Sequence, residues 1–278
     1  MSKQKISIPA LREMKEQGKK IRMVTAYDYP TGILVDQTEI ETILVGDSLG
    51  MVVLGYDGTV PVTMTEMLHH IKAVVRGAKN TLIIGDMPFM SYNISIEDAI
   101  RNAGRLVQEG GADCVKLEGG AAVVDTVRAI VRAGIPVIAH IGLTPQTASQ
   151  LGGFKVQGKD AAAAERMIAE AQQLEEAGAC AIVLEAIPAP LAELITKKLS
   201  IPTIGIGAGV HCDGQVLVTH DMVGLFDRFV PKFAKQYATV GKSILAAFDS
   251  YAAEVASGDF PGPEHSFTMK EEVLKRLY

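Results

Sequence analysis

Residues 111–118 read GADCVKLE, and 67 positions later residues 178–185 read GACAIVLE. Each opens on a glycine suited to ending a helix, runs through apolar residues, and finishes on a glutamate. A second echo accompanies both: IPVIAHIG at 135–142 and IPTIGIGA at 201–208, 66 positions apart. Such a unit is a buried strand joined to a helix, and repeating it within one chain favours a closed parallel barrel over an open sheet. A shorter pair, LVGDS at 44–48 and IIGDM at 83–87, repeats the order apolar-apolar-Gly-Asp.

Outward from these repeats, apolar runs at 21–25, 42–45, 81–85, 112–117, 136–139, 179–184, 202–205 and 216–219 read as eight strands. Helix-like stretches at 65–76, 95–109, 121–133, 161–177 and 190–199 alternate with them. The expected fold is α/β, a (β/α)8 TIM barrel forming one domain over 1–278, with an N-terminal helical extension and a C-terminal helical tail. Its 278 residues are close to the roughly 250 typical of such a barrel. No G-x-G-x-x-G follows the first strand, which argues against a dinucleotide-binding domain. Three Gly-rich connections, 49–63, 141–160 and 205–215, read as mobile loops over an active site.

Composition narrows the function. With 27 basic and 32 acidic residues the chain carries a formal charge of −5, so a basic face for nucleic acid is not expected. At 48% hydrophobic and 21% charged it reads as globular. No run approaches the roughly 18 apolar residues of a membrane span, and the N-terminus lacks a signal-peptide core. Cys114, Cys180 and Cys212 are odd in number, far apart and outside any Cys-x-x-Cys pair, which points to a cytoplasmic setting; Cys114 and Cys180, inside apolar runs, read as buried thiols.

In a barrel of this kind the chemistry sits where the strands end. The polar residues at those ends are Asp47 and Ser48, Asp86, Lys116 and Glu118, His140, and Glu185. Any one of the acids could simply cap a helix or turn, and His140 could be a satisfied packing residue. Four carboxylates from four strands at one mouth, with little positive charge nearby, are costly unless a cation joins them. Asp47, Asp86 and Glu118 offer hard oxygen donors without a companion Cys, a set suited to Mg²⁺ rather than zinc. Lys116 shares a face with Glu118 and is expected to meet an anionic substrate. A 2-oxo acid could chelate the metal, which would stabilise the enolate formed when Glu185 removes the neighbouring proton. The stretch IGIGAG at 204–209 could alternatively cradle phosphate.

These residues lie in a run of motifs: MVTAYDYP, LVGDSLGMVVLGYDGTVPVT, GDMPFMSY, GADCVKLEGG, PVIAHIGLTPQ, GGFKVQG, LEAIP, IPTIGIGAG and PKFAKQY. In order and spacing, over about residues 23–267, they resemble the ketopantoate hydroxymethyltransferase family of pantothenate biosynthesis. The resemblance implies a barrel enzyme using Mg²⁺ and 5,10-methylenetetrahydrofolate. It further implies that 3-methyl-2-oxobutanoate is hydroxymethylated to 2-dehydropantoate. By the same match, Asp47, Asp86 and Glu118 are metal-site acids, and Asp47, Ser48, Asp86, Lys116 and His140 bind the oxo acid. Glu185 is the proton acceptor, and a homo-oligomer, a decamer, is implied.

Two rival readings stand beside it. One is another Mg²⁺-dependent 2-oxo acid barrel of the phosphoenolpyruvate mutase or isocitrate lyase type, which relies on a lid cysteine; the stretch QLGGFKVQGKD at 150–160 has none. The other is a barrel that binds a metabolite without turning it over, for which Glu185 would have no use.

Overall fold

A computed structural model describes residues 4–226 and 228–278. Helix α1 (Ile8–Glu16) precedes strand β1 (Ile21–Thr25), and α2 (Tyr29–Asp36) leads to β2 (Thr42–Val45). A short α3 (Leu49–Val52) and then α4 (Met64–Gly77) precede β3 (Leu82–Asp86). From there α5 (Ile96–Gln108), β4 (Cys114–Glu118), α6 (Val124–Arg132), β5 (Val137–Gly142), α7 (Ala161–Glu176), β6 (Ala181–Glu185), α8 (Ala189–Lys198) and β7 (Thr203–Ile206) alternate. Strand β8 (Gly214–Leu217) closes the sheet, followed by α9 (Thr219–Met222), α10 (Val240–Ser257) and α11 (Glu271–Leu274). The eight strands form one closed parallel barrel in sequence order, with β8 pairing to β1.

Alternation along each strand sorts side chains into two cores. Residues such as Val115, Leu117, Ile182 and Leu184 face outward and pack under the helices. Leu82, Ile84, Cys114, Ile138, Ala181 and Val183 face inward and fill the barrel. Leu11 of α1 joins that inner set and is 1% exposed, so the N-terminal helix plugs the bottom. Lys15 fixes the plug by donating to Asp213 and to the carbonyls of Thr196 and Ile201. At the upper end the inward positions become Asp86, Lys116, Glu118, His140 and Glu185. The same period-2 rule that buries the lower residues therefore aims the upper ones into the mouth.

Local signals place the helices. Thr63 and Glu66 form a capping box at the start of α4, and Ser95 and Asp160 cap α5 and α7. None of the strand-end acids acts as such a cap.

The structure departs from the sequence reading at the eighth strand and the loop before it. Strand β8 begins at Gly214, two residues before the expected start, and pairs Gly214 with Ile21. A Cβ at Gly214 would lie 2.5 Å from the Ile21 carbonyl, so glycine is required where strand propensity argues against a strand. The connection at 205–215 is not a lid. It carries the chain from the top of β7 to the bottom of β8 without a helix. Lys20 holds it by donating to the Cys212 carbonyl at 2.5 Å, and Cys212 is fully buried. Its glycines serve close packing: a Cβ on Gly209 would collide with Ala189, and one on Gly207 would lie 2.8 Å from the Phe233 ring. The stretch 204–209 thus seats side chains.

The last long helix leaves the barrel. None of α10 is buried, and Leu245, Phe248 and Tyr251 are 59–66% exposed along one flank. Among the described residues no barrel helix covers the outer face of β8 and β1, where a groove of about 500 Å³ is lined by Val24, Ile40, Leu217 and Tyr237. Among the described residues no helix is long and apolar enough to cross a membrane.

Asp36, at the end of α2, ties α2 to the start of β3 by accepting from the backbone N–H groups of Lys79, Asn80 and Thr81 and from the Thr81 hydroxyl. Burial acts to raise its pKa, but these donors outweigh it and hold the carboxyl at about 2. Its folded pKa lies below the ordinary 3.8, so its stabilisation is complete above about pH 4 and lost as pH falls towards 2. Asp36→Ala should destabilise the fold by about 2 kcal/mol at pH 7. Urea midpoints should show that gap between variant and wild type narrowing below pH 4.

Candidate active site

Strand register sets the geometry of the mouth. Asp86 on β3 pairs directly with Lys116 on β4, Glu118 with His140 on β5, and Gly142 with Glu185 on β6. Asp47 follows β2 by two residues. Together with Ser48 these side chains line one cavity of about 410 Å³ at the C-terminal end of the barrel. The structure brings every candidate residue to one place.

The centre is ionic and buried. Lys116 Nζ lies 2.8 Å from Asp86 Oδ1 and 3.7 Å from Glu118 Oε1, with Lys116 and Asp86 both at most 4% exposed. Lys116, expected to meet an anionic substrate, lines the cavity and is at the same time paired with Asp86. Strand pairing forces this, since adjacent register positions cannot be read from one strand alone. Burial works against the ammonium, but Asp86, Glu118 and Asp47 outweigh it and hold its pKa above the usual lysine range. Burial together with Asp86 and Glu118 drives the Asp47 carboxyl well above its ordinary value. Burial likewise raises Glu118 despite Lys116 and His140.

Gln146, which sequence reasoning passed over, organises the acids. Its side chain donates to Asp47 Oδ2 and to the Met87 carbonyl, both at 2.9 Å, and its backbone N–H donates to Glu118 Oε2 at 3.1 Å. Tyr92 donates to its Oε1, and Gln146 is 2% exposed. It sits in the short turn Pro145–Thr147 within the loop after β5. The sequence signal was its place at the end of PVIAHIGLTPQ, inside a stretch read as mobile. The structure instead folds that part of the loop into the floor of the site.

His140 is engaged at both nitrogens. Nε2 donates to the Leu143 carbonyl at 2.9 Å, and with that proton assigned, Nδ1 is the acceptor for Lys116 Nζ at 3.4 Å. Nε2 also lies 3.4 Å from Glu185 Oε2. Glu185 stands apart from the ionic cluster, with its side chain 14% exposed to the cavity. The next residue, Ala186, has φ +47°, an uncommon conformation for a residue with a side chain. The Ala186 N–H donates to the Ile206 carbonyl and its C=O accepts from Gln157, which hold that turn in place. Ser48 shares a hydrogen bond of 2.9 Å with the Tyr27 hydroxyl.

The donor set fits a hard divalent cation. Asp86 Oδ1 is fully buried and receives no well-aligned hydrogen bond, despite Lys116 2.8 Å away. Asp47 and Glu118 carry raised pKa values that a cation would relieve. Among the described residues no three of His, Cys, Asp and Glu are arranged to hold an ion unaided. Mg²⁺ needs fewer, since it takes one or two carboxylates and completes its shell with water and substrate oxygens. None of the three cysteines lines the cavity.

Gln146→Leu should strip partners from Asp47, Tyr92 and the Met87 carbonyl while keeping side-chain volume. A loss of about 2–4 kcal/mol in urea unfolding is expected. Wild-type stability would show that the acids are held without it.

The family model described as ketopantoate hydroxymethyltransferase matches residues 5–263. The chain is 65% identical over 274 residues to the 3-methyl-2-oxobutanoate hydroxymethyltransferase of Heliobacterium modesticaldum, covering 99% of each. It is 61% identical over 263 residues to that of Moorella thermoacetica, covering 95% of this chain and 98% of the relative. Among solved structures, phosphonopyruvate hydrolase superposes with a TM-score of 0.62 at 13% identity, covering 97% of this chain and 94% of its own. A 2,3-dimethylmalate lyase of the PEP mutase/isocitrate lyase superfamily gives 0.59 at 17%, covering 97% and 93%. At such low identity these two likenesses speak for the barrel alone. The sequence matches, which run nearly end to end, are of another order, and by them this chain belongs to the ketopantoate hydroxymethyltransferase family.

Proposed function

We propose that this enzyme transfers a one-carbon unit from 5,10-methylenetetrahydrofolate to 3-methyl-2-oxobutanoate, with water, giving 2-dehydropantoate and tetrahydrofolate. The observation that carries this reading is the separation of Glu185 from the other acids. Asp47, Asp86 and Glu118 are bound up with Lys116 and Gln146, whereas Glu185 faces the same cavity with only His140 beside it. A cavity with one acid cluster and one independent carboxylate suits deprotonation next to a carbonyl.

Asp47, Asp86 and Glu118 would hold Mg²⁺, directly or through water, and when bound it supplies Lewis-acid polarisation of the keto oxygen. Lys116 and the Ser48 hydroxyl offer donors to the oxygens of the oxo acid. His140, with both nitrogens engaged, acts mainly by orienting Lys116 and Glu185. Glu185 takes the C3 proton, and C3 forms its bond to the methylene carbon as that carbon leaves one folate nitrogen. Water oxygen then replaces the second folate nitrogen on that carbon to give the hydroxymethyl group, and the two nitrogens take up the protons lost by C3 and by water. The isocitrate lyase type of reading gains nothing from the site, because its neighbours share only the fold and no cysteine faces the cavity. Three free thiols, raised in pKa by burial, are in keeping with a cytoplasmic enzyme.

The reading extends to a homo-oligomer, a decamer by family resemblance. Its support here is the apolar flank of α10 and the uncovered groove over β8 and β1, a matched pair if a second copy supplies the helix.

Two outcomes are expected. In D₂O with Mg²⁺ the protein should erase the C3 proton signal of 3-methyl-2-oxobutanoate by proton NMR. Glu185→Gln should slow that exchange by roughly 10²–10⁴-fold. Exchange at the wild-type rate in the variant would remove Glu185 as the base; neither exchange nor product with all substrates present would remove the transfer reading. Phe248→Glu should yield smaller particles in sedimentation velocity, and an unchanged sedimentation coefficient would show that α10 does not join the copies.

A further inference from the structure

The cavity has two chemically distinct halves, and deprotonation of the oxo acid uses only the inner one. The outer half is walled by phenyl rings from two separate segments, Phe154 after β5 and Phe229 and Phe233 after α9. Phe154 and Phe229 line the cavity yet keep 60% and 64% of their surface open. Phe233 is seated by the backbone itself, since Gly207 leaves the space that any Cβ would take 2.8 Å from its ring. A small oxo acid held at the acid cluster does not reach this much aromatic surface.

Asp221, in α9, lines the same cavity beside Val216 and Val218. It is only 6% exposed, and among the described residues its carboxylate has no hydrogen bond or ion pair. Desolvation pushes its pKa up to about 6, a cost to the fold with no visible return. The oxo acid cannot supply the return, because its carboxylate and keto oxygens only accept hydrogen bonds. A carboxylate calls for a flat partner with two N–H donors on one edge, the pattern that makes paired hydrogen bonds strong. The 2-amino-4-oxopyrimidine ring of a pterin has that edge and also the flat faces that phenyl rings stack on. Lys155 and Lys232, at the rim of the cavity, suit the carboxylates of a glutamate tail.

We propose that Asp221 with Phe154, Phe229 and Phe233 forms the pterin subsite of the folate co-substrate, Asp221 pairing with the ring's amino edge. The assignment rests on the proposed transfer reaction and adds to it the residues that choose the one-carbon donor. It also explains the folding of two distant segments over one mouth: they bring aromatic faces to the ring while the inner half keeps the oxo acid.

Titration calorimetry of the full-length protein with tetrahydrofolate, the reaction product, reads this subsite without turnover. Asp221→Asn should weaken binding by at least about tenfold, as expected for losing charge-assisted hydrogen bonds. Phe229→Ala, on an exposed ring whose removal leaves the core intact, should weaken it by about fivefold to tenfold. A tetrahydropterin lacking the aminobenzoyl-glutamate half should show the same two losses. In both variants the affinity for 3-methyl-2-oxobutanoate with Mg²⁺ should stay within about twofold of wild type, which reports an intact inner half. Wild-type tetrahydrofolate affinity in both variants overturns the subsite and leaves the transfer reaction standing. A wild-type protein that binds the oxo acid, but neither binds tetrahydrofolate nor uses methylenetetrahydrofolate, overturns the transfer reading and the subsite with it.

Discussion

Lys116 Nζ lies 2.8 Å from Asp86 Oδ1, both side chains almost wholly buried at the base of the cavity. A buried ammonium or a buried carboxylate alone would be expelled or neutralised; as neighbours on adjacent strands they tolerate burial together. That pairing allows Asp47 and Glu118 to approach within the same few ångströms, because one positive charge is already among them. The balance is incomplete: three carboxylates share one cation, and the pKa values of Asp47 and Glu118 are raised accordingly. A site left short of positive charge has affinity for more of it, which a divalent ion can supply.

The neutral members of the site obey this constraint. Gln146 can donate without adding charge, so it reaches Asp47 where a second lysine would cancel the deficit. His140 bridges the ionic cluster and Glu185 while its Nε2 proton is committed to the Leu143 carbonyl. Among the described residues Glu185 thereby keeps a carboxylate without a Lys or Arg contact, as suits a base. Small backbone devices hold these positions. Ala186 turns at positive φ just past Glu185, and Gly142 lets the Leu143 N–H reach the Glu185 carbonyl at 2.9 Å.

The barrel is least regular around β7, β8 and the C-terminal segment. The β7–β8 crossover has no helix, the outer face of β8 is bare, and α10 departs with its apolar flank exposed. These are the places where a regular (β/α) unit was sacrificed. In return the chain after α9 is free to lay Phe229 and Phe233 across the mouth, and α10 is free to meet another copy.

Much of this was legible beforehand. Repeated strand–helix units, capping residues such as Thr63 and Ser95, and a polar residue ending each apolar run are local signals. They sufficed to place all eight strands within three residues and to collect Asp47, Ser48, Asp86, Lys116, Glu118, His140 and Glu185 at one end. Period-2 alternation decides which residues face inward whatever the partner strand. Other features depend on neighbours that are remote in sequence. Strand β8 starts at a glycine because the Ile21 carbonyl crowds it, and Lys116 meets Asp86 because of register across β3 and β4. Gln146 finds Asp47, 99 residues away, only once the barrel has closed. The sequence by itself determined the barrel, its inward-facing set and the acids at its mouth, because those rest on local periodicity. The tertiary structure alone decided which charges touch, which glycine-rich loop is a packed strut, and where Asp221 and the phenyl rings gather, because those rest on long-range packing that no single segment encodes.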